Sequence, residues 1–426
     1  MSENQGSRRF SLKALRENSD PRLLTILLIV FVQIVGASMV LPIFPLYAKR
    51  AFALEDNVIT LLVSSFFAAQ FVAGPFIGRL SDRYGRVPVL IVSQIGTVIS
   101  FVMLGAAQSA AVLLFSRLLD GITGGNIIVA QAYMTDIAPR GKRTEYLGLL
   151  FAAFGLGFAV GPALGGVLSG LFGPRVPFFM AALAAAVVTV LTWRTLDETL
   201  TPEQREKNIQ TSNDGGLSPR MVLNNTPLLL ILFVTFVGQF GLGLLQATFA
   251  LYGDAVLFAG QSDQATDIGI GLLLACVGFG QLFTQLFLLR RMLKRFGDAW
   301  LVIIGCLLRG VSMYIFAMIT NALFGTAAMV FFAVGSGLMM PALQSLSTST
   351  VGDEVRGGVL GLYQSAISLS TIVSTAIGGT LFAITPATPY FIGGTLFMIS
   401  ILPGLLVLRL VNNGDLKQEA IPAGAD

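Results

Sequence analysis

Arg117 and Asp120 stand three residues apart in the run RLLDGITGGN, a spacing that turns both side chains to one face of a helix. Apolar residues flank them for long enough to carry that helix through a bilayer. There, two opposite charges demand each other, a water-filled cavity, or both. Two chemistries meet that demand. One is a neutralising ion pair that fixes helix packing. The other is a site that breaks and remakes the pair as a proton or a substrate comes and goes.

Charge also gathers in GRLSDRYGRVP, from Gly78 to Pro88, between two apolar runs. Arg79, Asp82, Arg83 and Arg86 are too costly to place in hydrocarbon, so this stretch is a tight turn at a membrane face. Gly78 lets two helices approach, Gly85 admits backbone angles that other residues resist, and Pro88 suits the first turn of a helix. An ordinary positively charged loop is the plainer account. A second loop, TDIAPRGKRTE, sets Asp136 and Glu145 beside Arg140, Lys142 and Arg143, and a solvated charged loop explains it as well.

What is missing narrows the chemistry. The chain has no histidine, and Cys276 and Cys306 both fall inside apolar runs. Histidine-based metal sites, histidine general bases and a disulfide framework are therefore not expected, and any proton coupling must use carboxylates. Neither a cofactor nor a metal is expected. A nucleotide-binding loop is absent too, which argues against an ATP-driven pump, and no constellation points to an enzyme. The net charge of +4 reflects membrane topology rather than a nucleic-acid partner.

The elements that must position these residues are apolar helices. Of 426 residues 54% are hydrophobic and 12% charged, against about a quarter charged in soluble domains. Twelve spans are predicted, at 23–47, 58–77, 88–107, 110–132, 146–169, 177–196, 228–251, 268–289, 299–319, 322–348, 359–382 and 389–411. The first serves as a span rather than a cleaved signal, because its apolar run is too long. Lys and Arg fall almost wholly on one face, from Arg8, Arg9, Lys13 and Arg16 to Arg409 and Lys417. Only Lys49, Arg50 and Arg175 fall on the other. That asymmetry puts both termini in the cytoplasm.

The halves echo each other. Arg83-Tyr84-Gly85 recurs as Arg295-Phe296-Gly297, Gly148-Leu149 as Gly361-Leu362, and Gly165-Gly166 as Gly378-Gly379, all at an offset of 212 to 213 residues. The reading is an all-α polytopic membrane protein with a six-helix bundle over 1–196, a cytoplasmic linker over 197–227 and a second bundle over 228–426. Span five, GLGFAVGPALGG, spaces Gly157, Gly161 and Gly165 by fours into a smooth groove for a neighbouring helix. Pro162 favours a bend there. Gln33, Asn126, Gln239, Gln246, Gln344 and Arg309 are polar residues within spans. They line a substrate cavity or make interhelical contacts.

These stretches together resemble a known family. GRLSDRYGRVP resembles the loop signature of the major facilitator superfamily, RLLDGITGG its fourth-span arginine motif, and GLGFAVGPALGG its fifth-span antiporter motif. The region from Asp120 to Gly166 and MPALQ, Met340 to Gln344, are most similar to tetracycline-efflux proton antiporters. The resemblance implies a secondary transporter, not an enzyme. It would export a drug-like or amphipathic molecule in exchange for protons, as a functional monomer in a bacterial inner membrane. It also implies that Gly78, Asp82, Arg83, Gly85 and Arg86 latch the cytoplasmic side, with Asp136 joining Asp82 and Arg86 in a charge network. Arg117 would take a coupling or structural role, and Gly157, Gly161, Pro162, Gly165 and Gly166 would set pliable packing. Three positions depart from the pattern. Gln33 and Arg309 stand where tetracycline antiporters carry intramembrane acids, and Val87 where a basic residue is usual. Those losses leave Asp120 as the proton-carrier candidate and favour, as the alternative, a facilitative or lipid or nutrient carrier without proton coupling.

Overall fold

The computed structural model describes residues 21–124, 126–139, 143–201, 203, 205, 219–351 and 356–413. The middle of the predicted linker over 197–227, at 202, 204 and 206–218, lies outside them, as do Arg8, Arg9, Lys13, Arg16, Arg140, Lys142, Lys207 and Lys417.

Apolar sequence long enough to cross a bilayer has one local solution, a helix that satisfies its own backbone. Eleven helical stretches meet that requirement among the described residues. One of them, Asp263–Met318, has 56 residues, about 84 Å at roughly 1.5 Å per residue, far beyond a bilayer core of about 30 Å. It turns back at Gly297, whose φ of 78° and ψ of 169° no helix contains. The charged run Arg290, Arg291, Lys294 and Arg295 just before that turn marks a membrane face. The described residues therefore make twelve crossings, in register with the twelve predicted.

The first six spans are Pro21–Phe52, Asp56–Tyr84, Arg86–Gly105, Ala110–Thr123 with Asn126–Ile137, Arg143–Phe172 and Val176–Thr195. The last six are Thr226–Tyr252, 263–296 and 298–318 on either side of Gly297, Ala322–Ser349, Arg356–Ile384 and Thr388–Asn413. The helices overrun the predicted spans because charged and capped turns continue them past the hydrocarbon. Asn225 caps span seven by accepting from the Leu228 amide at 2.9 Å, and its side-chain amide donates to the Thr350 carbonyl at 3.1 Å. That ties span seven to the end of span ten. Ser262 and Asn321 cap spans eight and ten in the same way.

An even number of crossings puts Pro21 and Asn413 on one face, here called the terminal face, and the Arg50 turn on the other, the far face. The apolar core is not symmetric between them. Near the far face one cluster runs unbroken through both halves, from Met39, Phe44 and Leu62 to Phe249, Leu273 and Tyr390, and within the second half it continues to the terminal face at Ala299, Leu346 and Val407. The first half does not share it there. Leu23, Ile34, Val87 and Leu196 form a separate core in the first half, and Leu228, Val351 and Val359 a small patch in the second. Hydrogen bonds between halves follow suit: Ser64 donates to the Ile372 carbonyl at 2.9 Å, and the Gly379 amide to Thr60 at 2.9 Å. The halves are closed over the far face and parted towards the terminal face.

Candidate functional site

The turn between spans two and three is built on Gly85, whose φ of 105° suits glycine. A Cβ there would meet the Glu198 carboxylate and, at 2.8 Å, Arg205 Nη2. Glu198 occupies that space in order to cap span three, accepting from the Arg86 amide at 3.0 Å and the Val87 amide at 3.1 Å. A carboxylate at the positive end of a helix is favourable on both hydrogen-bonding and dipole grounds. Glu198 was not singled out in the sequence; its only mark was being an acid one turn past the last apolar residues of span six.

Arg86 is the hub of the loop. Its Nε donates to Asp136 at 3.0 Å, and its Nη1 reaches Asp82 at 2.8 Å and Ser81 Oγ at 2.7 Å. Thr199 adds a bond to Asp136 at 3.1 Å. Asp82, Arg86 and Asp136 are thus brought together, entirely within the first half. Arg83 instead lies over the Tyr84 ring, 5.3 Å from its centroid, and Gly78 has nothing within 4 Å of where a Cβ would stand. Val87, where the family pattern has a basic residue, is buried in the apolar cluster with Leu196, which explains why an apolar side chain stands there.

Span five divides its small residues between two neighbours. Gly157, Gly161 and Gly165 lie against span one at Ile34, Ser38 and Met39, and Ser38 Oγ donates to the Gly157 carbonyl at 3.1 Å. Gly166 and the carbonyl of Pro162 face span eight at Asp267 and Gly271 in the other half. A Cβ on Gly166 would stand 3.0 Å from the Gly271 α-carbon, so the two backbones run in contact.

Arg117 and Asp120 are both buried in span four, with Nη2 and Oδ2 3.2 Å apart. The guanidinium also sits over Phe44 at 5.3 Å and Phe66 at 5.5 Å, from spans one and two. Asn126 is buried a helical turn and a half away and donates to Thr97 at 3.4 Å. Its Oδ1 and both polar atoms of Gln94 have no hydrogen-bond partner. The result is a polar seam between spans three and four. Gln94 and Thr97 belong to it, and the recurrence of polar residues at helical spacing along span three, Ser93, Gln94, Thr97 and Ser100, would have flagged them.

The remaining candidates do not converge. Arg309 is fully buried within the second half, donating from Nη2 to the Gly238 carbonyl at 2.7 Å. Phe332 and Phe397 cover the two sides of its guanidinium at 4.6 Å and 4.5 Å. It therefore presents no surface to a cavity in this state. Gln33, Gln239 and Gln246 are half-buried on spans one and seven, and Gln344 is exposed on span ten.

Two features on the far face escaped the sequence reading. Arg50 appeared there only as a charge on the poorer side, and Asp267 not at all, yet their carboxylate–guanidinium contact crosses between the halves at 2.8 Å. No group of three or more metal-ligating side chains occurs among the described residues.

Comparison with known proteins follows the same lines. The description "Major Facilitator Superfamily" matches residues 26–260 and 244–423. Multidrug resistance protein 2 of Bacillus subtilis (strain 168) is 28% identical over 376 residues, 87% of this chain and 91% of that one. The class E tetracycline resistance protein of Escherichia coli is 28% identical over 407 residues, 92% and 98% of the two chains. Among solved structures, a bacterial homologue of the human lysosomal transporter Spinster, inward-facing and occupied, has a TM-score of 0.75 at 19% identity. That likeness covers 95% of this chain and 100% of that one. The human organic anion transporter MFSD10 has a TM-score of 0.66 at 20% identity, covering 91% and 100%. The chain belongs to the Major Facilitator Superfamily, a multi-pass membrane transporter that moves small molecules and is not an enzyme.

Proposed function

We propose that the protein exports a drug-like or amphipathic small molecule in exchange for protons, by rocking its two six-helix halves about a site near the membrane midplane. The observation that carries this reading is closure on one face only: a continuous core and inter-half bonds at the far face, separate cores at the terminal face. A carrier caught in one of two states has this form. Charge asymmetry and the bacterial relatives support a bacterial inner membrane with both termini, and the linker over 197–227, in the cytoplasm. The cavity then faces inward here, and Gln33, Gln239 and Gln246 are candidates to contact cargo. Nothing in the work required of it calls for more than one copy of the chain.

Support for proton exchange comes from the buried Arg117–Asp120 pair and from relatives named for multidrug and tetracycline resistance. Proteoliposomes with an imposed pH gradient, tested against cationic drugs, anionic drugs and lipids, decide it. Gradient-driven export that falls at least tenfold in Asp120→Asn is the expected result. An unchanged rate would remove Asp120 from the coupling. Gln33 and Arg309, in the places of two intramembrane acids, favour a second reading, a facilitative or lipid or nutrient carrier. Transport indifferent to the gradient would establish it.

A further inference from the structure

Asp267, on the first turns of span eight, has both its side-chain partners in the opposite half. Arg50 Nη1 of span one donates to its Oδ1 at 2.8 Å, and Ser169 of span five donates to its Oδ2. Arg50 is not its alone. The same guanidinium reaches Asp254 at 2.7 Å, in the π-helical turn after span seven, and Asp263 at 3.5 Å, on Asp267's own helix. Lys49, next in sequence, is engaged with Asp56 at 3.4 Å inside the first half. Three carboxylates thus converge on one cation, with two negative charges in surplus.

Burial decides the sign. The three acids belong to the second half and stay together in either state, so closing changes two things: Arg50 arrives, divided among all three, and water leaves. Asp267 loses most by closure, with 5% of its side chain exposed against 26% for Asp254 and 80% for Asp263. The backbones of spans five and eight touch at Gly166 and Gly271, so water has little room beside it. Removing one charge from such a cluster eases its burial, and the deepest member gains most. Asp120 has no comparable leverage, since its charged partner is three residues away on the same helix and in the same half.

We propose that Asp267 is the carboxylate through which protons at the far face set the gate: taking up a proton there, it lets the two halves close over it. The neutral acid keeps its hydrogen bond with Ser169, and Arg50 keeps Asp254 and Asp263. Acid on the far side therefore drives the carrier towards the state open to the terminal face. This deepens the proton-exchange reading and rests on it for its use in transport, while the gate itself is measurable without cargo.

The test uses the full chain in lipid nanodiscs, with Cys276 and Cys306 replaced and spin labels placed at Gln108→Cys and Asn321→Cys on exposed far-face turns. The wild-type closed population should rise as pH falls from about 8 to about 5.5, by at most tenfold per pH unit for one proton. Asp267→Asn should be closed at every pH with a flat profile. Asp263→Asn, at the exposed member of the cluster, should keep most of the wild-type slope. Acid that opens the wild-type far face, or Asp267→Asn that opens it at neutral pH, overturns the proposal in favour of a simple ion-pair clasp. Gradient-driven export in liposomes separates the two claims. If it is absent while the gate still answers to pH, the exchange reading fails and the gate stands. If it is present while Asp267→Asn titrates like wild type, the gate fails and the exchange stands.

Discussion

Each face of the molecule has an arginine that serves several acids, and the two are wired differently. Arg86 at the terminal face holds Asp82 and Asp136, both from its own half. Arg50 at the far face holds Asp254, Asp263 and Asp267, all from the other half. An interaction biases a two-state carrier only by the amount it differs between the states. The Arg86 cluster survives any rigid rotation of one half against the other. The Arg50 cluster cannot. Charge at a membrane face therefore says little about gating until the ownership of each partner is known.

The sharpest way to break that contrast is with size rather than charge. In Gly166→Val the added carbons collide with the Asp267 backbone and the Gly271 α-carbon across the halves. Overpacking of this kind costs on the order of 3 kcal/mol, roughly a hundredfold in the closed-to-open ratio. Gly148→Val, near the terminal end of the same helix, enters space with nothing within 4 Å and should leave the ratio unchanged. Far-face spin-label distances report both. Equal effects at the two positions would mean that the far-face packing is not what holds this state.

Charge comes next. Arg50→Met leaves three gathered acids without their cation, and the far face should open by about 2 kcal/mol at neutral pH and close again in acid. Arg86→Met strands Asp82 and Asp136, which are accessible enough to hydrate. Its cost, about 1–2 kcal/mol, should appear as a lower melting temperature of the purified protein with the far-face distance unmoved. A far-face response to Arg86→Met would show that the loop reaches the gate after all.

How much of this was legible in the sequence depends on what each feature needs. Twelve crossings followed from apolar length, and even the hairpin inside the 56-residue stretch Asp263–Met318 was marked by four basic residues and Gly297. Asp82, Arg86 and Asp136 came into view because their loop motifs are local. Arg50 and Asp267 did not, because 217 residues separate them and neither sits in a patterned run. Only the docking of spans one, five and eight brings them together. Glu198 was hidden for a similar reason: capping span three from beyond span six is a tertiary act by a residue that looks like linker. Gly166 was read only as part of the pliable packing of span five, whereas the helix turns it to the opposite partner from Gly165, against Asp267 and Gly271 of the other half.

Arg309 gives the smallest expected effect and the most exacting control. Unlike the half-buried Arg50 it is fully enclosed, and its aromatic and carbonyl partners, Phe332, Phe397 and Gly238, all belong to its own half. Its Nε and Nη1 have no hydrogen-bond partner. Two ring faces and one carbonyl return about 2–4 kcal/mol, close to the penalty of burying the charge. Methionine fills a similar volume, and its sulfur packs well on aromatic rings. Arg309→Met should therefore change stability by less than about 1.5 kcal/mol, read as a near-constant denaturation midpoint, and leave the far-face distance and its pH response alone. If the variant stays as stable as wild type but loses transport, Arg309 must meet cargo or a carboxylate in a state other than this one. Ownership of partners in one state would then be too narrow a rule, and the second half would hold a charge site that opens only when the far face does.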